Sequence, residues 1–202
     1  MKSMSRFPIK ASRTVRDFVN NCRGVAAVEF AFIVPLMLVL FFGTIDFSQG
    51  VAVSRKVTIM ARTLADLTSQ NTSVTTTQLN NFFTASTAVM TPYPAAPVQA
   101  TLSELYVDPN SLQARVQWST GAAPRAVSSN VTIPTQLQIG GTYLLFSEVS
   151  YLFVPTVGYV MAPSGIVLGD VAYTRPRQNL GTAAACVFYP PDTSPSPQCP
   201  TN

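Results

Sequence analysis

The chain has 202 residues, 47% of them hydrophobic and only 11% charged, with 13 Lys+Arg, 9 Asp+Glu and no His. A chain of this length can bury a core without metals or dense cross-linking, but without His it lacks Ser/His and Cys/His dyads and the commonest zinc ligand. Three Cys are too few for a disulfide framework or a four-Cys metal site, so no cofactor, no metal and no enzymatic role are expected.

The net charge of +4 is unevenly spread. Residues 1–24 carry six basic groups and one acid, a local charge of +5, whereas residues 25–202 carry seven basic groups and eight acids, a charge of −1. A face for nucleic acid needs Lys and Arg distributed over a folded surface, so no nucleic-acid partner is expected. Residues 1–24 read instead as a basic cytoplasmic leader.

Directly after it, Val25 to Ile45 is a run of 21 residues with no Lys or Arg and one acid, Glu29. As a helix it spans roughly 31 Å, about the thickness of bilayer hydrocarbon, so residues 25–46 read as one transmembrane helix. A core helix of a soluble protein is rarely apolar on every face for so long, and a removable secretory signal has a shorter apolar region followed by a small-x-small site. Positive charge precedes the run and Asp46 follows it, which keeps the N-terminus cytoplasmic and exports the rest.

Glu29 is costly at this depth, on the order of 2–3 kcal/mol at a bilayer centre and less near the interface, and calls for a partner. A cut between Gly24 and Val25 would leave a positive amine at Val25, with the acid fifth in line. The Glu29 carboxylate could then meet the terminal amine of a neighbouring helix, and opposite charges in a low dielectric attract strongly. Gly24 and Val25 are therefore the candidate processing site, and Glu29 with its neighbour Phe30 the candidate subunit contact.

Residues 47–90 read as a helical stem and a second helix. Val57, Met60, Leu64 and Leu67 repeat at helical spacing, with Arg55, Lys56, Arg62 and Asp66 largely off that stripe, so the membrane helix continues outward with the stripe as the core face of the exported domain. Pro35, Gly43 and Gly50 are the places where it could kink or break. After the polar connector from Ser69 to Thr77, Thr77 reads as the cap of a helix from Gln78 to about Met90, with Leu79, Phe82, Phe83 and Val89 on one side.

Residues 91–180 change period to that of an antiparallel β domain. Leu112, Ala114, Val116 and Trp118 alternate with polar residues as one face of a half-buried strand, and the turn Asp108-Pro109-Asn110-Ser111 joins it to a less regular strand from Val98 to Val107. Thr142 to Val154 reads as a central strand and Ile166 to Thr174 as a fourth, with Gly121 to Gly141 a long loop holding at most a short strand. Residues 181–202 form a Pro-rich tail in which Cys186 and Cys199 bracket VFYPPDTSPSPQ and would close a 14-residue loop, both cysteines included. Exported, that pair can close a disulfide worth on the order of 3 kcal/mol. The fold class is thus α+β: one N-terminal transmembrane helix extended into a stem, a second helix, then a small antiparallel sheet, a pilin-like layout by analogy.

The residues Arg23-Gly24-Val25-Ala26-Ala27-Val28-Glu29-Phe30-Ala31, then an apolar run with Pro35, then Gly43-Thr44-Ile45-Asp46-Phe47, resemble the start and exit of the TadE-like segment of tight-adherence (Flp-type) pilus assembly proteins. Tyr173-Thr174-Arg175-Pro176-Arg177 is similar to the basic ending common near the C-terminus of such proteins. The resemblance covers about thirty residues and is closest to the short TadE type of the broader TadE/TadG group. It implies a minor pseudopilin of the bacterial inner membrane, single-pass with a periplasmic C-terminal domain, which is cut after Gly24 by a prepilin peptidase. Its implied partners are other pilins and pseudopilins, the inner-membrane assembly platform and the lipid bilayer. A different reading is an uncleaved, signal-anchored binding or adhesion module. An anchored hydrolase is disfavoured, because the chain has no Walker loop, no nucleophile elbow and no Ser or Thr with a nameable base.

Overall fold

The structure is a computed structural model that describes residues 23–155, 164–178, 186, 187 and 189. It divides into two units, residues 1–45 and 46–202. Helix α1, Arg23–Ser69, belongs to both.

In the first unit, the side chains of α1 from Gly24 to Ile45 are exposed, except for half-buried Val34. The most apolar window of this helix has a mean hydropathy of 2.6 and none of it is buried, which sets it apart from a soluble core helix. A helix satisfies its own backbone, and apart from Glu29 and Thr44 this stretch presents apolar side chains and glycine, the form in which a chain can cross hydrocarbon. Pro35 lies inside α1 without ending it, and α1 also runs unbroken through Gly43 and Gly50. Proline removes one backbone donor, a loss that apolar helices of this kind tolerate through local adjustment.

In the second unit, α1 supplies a stripe of core residues. Val53, Val57, Met60, Ala61, Leu64 and Ala65 are fully buried, and Leu67 at the end of the stripe is half-buried. The sequence stripe is therefore the core face of this domain. Helix α2, Thr76–Thr87, starts two residues earlier than the sequence reading, because its cap is Thr75 and not Thr77. Gln78 N–H donates to Thr75 Oγ1 at 3.3 Å, and Thr75 N–H donates to Gln78 Oε1 at 2.9 Å. This reciprocal pair satisfies two orphan backbone donors at once, which a Thr77 cap without a Gln three residues on could not do. A 3₁₀ turn, Ala88–Met90, follows, and Lys56 of α1 donates to the carbonyls of Val89 within it (2.9 Å) and Thr91 just after it (2.7 Å).

Five strands form one antiparallel sheet: β1 (Val98–Val107), β2 (Ala114–Gly121), β3 (Asn130–Val131), β4 (Tyr143–Phe153) and β5 (Ile166–Thr174), in the order β3-β2-β1-β4-β5. The β1–β2 hairpin is the expected one, with Asp108 Oδ1 accepting from the N–H groups of Asn110 (2.8 Å) and Ser111 (3.0 Å). Strand β4 is interior, between β1 and β5, and the loop before it holds the short β3. Leu112 departs from the expected strand: it sits in the turn with φ 56°, exposed to solvent.

The second departure matters more. The register pairs Glu104 with Trp118 but Leu105 with Val116, so Gln117 is an extra residue on β2. A bulge of this kind reverses the alternation of side chains beyond it. Ala114 and Val116 therefore face one cluster, with Leu105, Leu144, Phe146 and Ile133. Trp118 faces the other, with Leu102, Leu145 and the α1 stripe. The predicted single apolar face of this strand is in fact split between two cores. Past β5, Pro176 is buried, Arg177 N–H donates to the Ser69 carbonyl at 2.9 Å, and the Arg177 guanidinium pairs with Asp66. The basic ending singled out in the sequence thus ties the chain to the end of α1.

Candidate functional site

The residues singled out in the sequence as a processing and assembly site lie on the first turns of α1. Gly24, Val25, Glu29 and Phe30 are all exposed, Phe30 at 69%. A Cβ at Gly24 would meet nothing within 4 Å. Val25 and Glu29 are four residues apart on one helix, so their side chains lie on the same face about 5–6 Å apart. Among the described residues of the first unit, no cation is paired with Glu29. The carboxylate is presented outward on an otherwise apolar helix, where a charge needs a partner from outside its own surface.

A different carboxylate, which sequence reasoning missed, lies buried in the second unit. Glu104 on β1 is 2% exposed. Its Oε1 accepts from the backbone N–H of Val187 at 2.6 Å, and its Oε2 accepts from Trp118 Nε1–H at 2.9 Å. The same indole N–H also donates to the Val187 carbonyl at 2.9 Å. Both donors are neutral, so burial dominates and pushes the Glu104 carboxyl from 4.5 up to about 8, against the opposing pull of the two hydrogen bonds. Tyr143 on β4 is raised above its ordinary range, chiefly by burial, with Glu104 and Tyr106 adding to the effect. Val187 is fully buried, and the Tyr189 ring packs at a tilt against Trp118, with centroids 5.3 Å apart, and its hydroxyl reaches Thr76 Oγ1 at 3.2 Å. Cys186 is buried and disulfide-bonded, and its proposed partner Cys199 lies outside the described residues.

On the opposite sheet face, Arg125 forms a two-pronged pair with Glu148, Nε to Oε2 and Nη2 to Oε1, each at 2.6 Å. The guanidinium also lies 5.5 Å from the Phe146 ring centroid, and Phe146 stacks on Tyr173 at 4.8 Å. The Glu148 hydrogen bonds hold Arg125 in its charged form. A wide, open groove beside them is lined by Gln99, Thr101, Ser150, Gly169 and Val171. This is an arrangement for shape and charge, with no nucleophile set against a base. Among the described residues, no three His, Cys, Asp or Glu side chains gather as a metal ion would require.

Comparison with known proteins bears on the helix. Residues 24–66 match the family model described as TadE-like protein, about a fifth of the chain. No curated protein and no solved structure matches. The match opens at Gly24, covers the whole exposed apolar run and continues through Leu64 and Ala65, so it takes in both the membrane-length part of α1 and the part that packs on the sheet. The segment 24–66 is TadE-like, and it connects this chain with the assembly of tight-adherence pili.

Proposed function

We propose that the chain is a minor pseudopilin of the tight-adherence (Flp/type IVb) pilus, with a structural and not a catalytic role. In this reading it sits in the bacterial inner membrane by α1, with residues 1–24 in the cytoplasm and the sheet domain in the periplasm. A prepilin peptidase removes the leader after Gly24, and the mature chain meets other pilins, pseudopilins and the inner-membrane platform. The observation that carries the reading is that the TadE-like match begins at Gly24, on a helix that is exposed and apolar from there to Ile45, with Glu29 as the one charge between these two residues. Once Val25 is the terminus, its amine and the positive end of the helix both lie close to the Glu29 carboxylate, which lowers the cost of keeping that charge in hydrocarbon. A neighbouring chain can offer the same amine, and a staggered pair would satisfy both charges.

The direct test is N-terminal sequencing of the protein extracted from membranes. A start at Val25 is expected; recovery of the full-length chain alone would favour the anchored binding module instead. Glu29→Ala should insert into membranes as well as the parent and fail in pilus assembly, scored by surface pili and by co-purification of partner pilins. Normal assembly by that variant would remove Glu29 from the mechanism.

A further inference from the structure

The end of the sheet at which β4 finishes and β5 begins is exposed and apolar. Leu152 pairs with Val167 and Phe153 with Ile166 across the two strands. Leu152, Val154, Ile166 and Val167 are all exposed, Val167 most of all at 69%. No charged side chain lies from Leu152 to Pro155 or from Ser164 to Gly169. At the other end of the sheet, exposed Leu112 stands among Asp108, Asn110 and Ser111, the ordinary mixture of a surface in water. Neighbouring apolar side chains left open at one end mark a contact with something other than water. Strand β5 is also an edge strand of the sheet, where such side chains invite unwanted pairing unless they are covered.

What covers this end follows from its place on α1. A Cβ at Gly50 would stand 3.5 Å from the Phe153 ring, so the end of β4 packs against α1 at Gly50. Phe47, three residues earlier and therefore on the same side of the helix, is 75% exposed. The apolar run ends at Ile45, and five further helical residues carry the chain to Gly50, at most about 7–8 Å along the axis. The headgroup layer on each side of the hydrocarbon is roughly 5–8 Å deep. Where α1 spans a membrane, as proposed above, Gly50 and the end of β4 packed on it therefore stand at headgroup level.

We propose that this end of the sheet domain rests on the lipid surface, with Leu152, Val154, Ile166 and Val167 set beside Phe47 at the boundary between headgroups and acyl chains. The depth is limited by β5, whose outer backbone groups have no partner among the described strands. Such groups stay among headgroups and water, because unpaired backbone does not enter hydrocarbon. The bilayer is thus a partner of the sheet domain as well as of the membrane helix.

The test uses the full chain in vesicles of phosphatidylcholine and phosphatidylglycerol, with and without acyl chains brominated near the headgroup. Val167→Trp adds one indole to Trp118, the single and buried Trp of the parent, whose emission is subtracted. Ser111→Trp sets the same probe at the opposite end of the sheet. A side chain about 5–10 Å into the headgroup and acyl boundary is within reach of the bromines, so they should remove about half or more of the emission added at Val167. They should remove little of that added at Ser111. Equal quenching at the two positions, or none at Val167, overturns the proposal. Emission added at Val167 that is blue-shifted, unquenched and dependent on the protein-to-lipid ratio also overturns it, and assigns the patch to a second copy of the chain. Flotation after an alkaline carbonate wash tests the spanning helix separately. A chain that stays with the vesicles while Val167→Trp is unquenched refutes the surface contact alone; a chain that washes off refutes the spanning helix and the contact with it. Should Val167→Trp lose the parent's far-UV circular dichroism, Ile166→Trp decides by the same readout.

Discussion

If the outer half of α1 is truly the core face of the sheet domain, truncation along its buried stripe must cost far more than truncation on its exposed side. Leu64 is fully buried among α1, α2 and sheet residues, whereas Ile59, five residues earlier on the same helix, is 51% exposed. Leu64→Ala removes buried methyl and methylene groups and leaves a cavity, at a cost of about 3 kcal/mol within the usual 2–5 range, and the small gain in helix propensity from Leu to Ala offsets little of it. For a unit of this size that corresponds to a fall in Tm of roughly 6–12 °C. Ile59→Ala loses little buried surface and gains helix propensity, so it should stay within about 0.5 kcal/mol of the parent in either direction. The measurement is thermal unfolding of the full chain in detergent, followed by Trp118 emission, because Trp118 belongs to the same cluster as Leu64. Equal shifts for the two variants would mean that α1 does not pack on the sheet, and the stripe would then have to be explained by a partner.

Three further outcomes follow from the geometry. Gly121 holds φ +125°, and a Cβ there would come within 2.3 Å of the Ala100 carbonyl oxygen and 2.8 Å of Thr101 Cα, so Gly121→Ala should destabilise the β1–β2 end by at least 1–3 kcal/mol, read as a lower denaturant midpoint; an unchanged midpoint would contradict this register. Thr75→Ala removes one half of the reciprocal cap on α2 and should cost about 1 kcal/mol by the same assay, whereas Thr77→Ala should cost less than half of that. The third concerns pH. The folded-state pKa of Glu104 lies above its unfolded value, so the neutral form is favoured by folding: its contribution is complete below about 4.5 and is lost as pH rises towards 8. The full shift corresponds to at most about 5 kcal/mol. Stability by denaturant titration should therefore fall from pH 5 to pH 8 in the parent and stay flatter in Glu104→Gln; a parent curve that rises over that interval would refute the assignment.

How far the sequence could be read depended on whether each feature was local. The apolar run from Val25 to Ile45 and the stripe on the outer half of α1 are matters of composition and spacing along one helix, and both were legible. Turn chemistry was legible at Asp108, whose side chain caps its own loop. It misled at Thr77, since the choice between two threonines depended on which of them stood three residues before Gln78. The misses concern pairing. Leu112 alternates correctly with Ala114, yet the hairpin closes around it and leaves it in a left-handed turn. Gln117 carries no mark of a bulge, because an extra residue is defined only against a partner strand, and nothing in β2 by itself says where β1 will skip.

That one residue explains why Glu104 escaped notice. Continuing the hairpin register without a bulge from the pair Leu105 and Val116 would set Glu104 opposite Gln117 and turn Trp118 to the other face of the sheet. Glu104 would then look like an acid beside an amide, an unremarkable pair at the margin of a strand. With the bulge, the pairing becomes Glu104 opposite Trp118, and the acid faces an indole donor within a closed apolar cluster. Burial then raises its pKa, and its second oxygen is left for Val187, a residue 83 positions further on. Neither strand alone encodes that site. An acid placed at an apolar position of a central strand was the available signal, and its meaning depended on a register that only the assembled sheet defines.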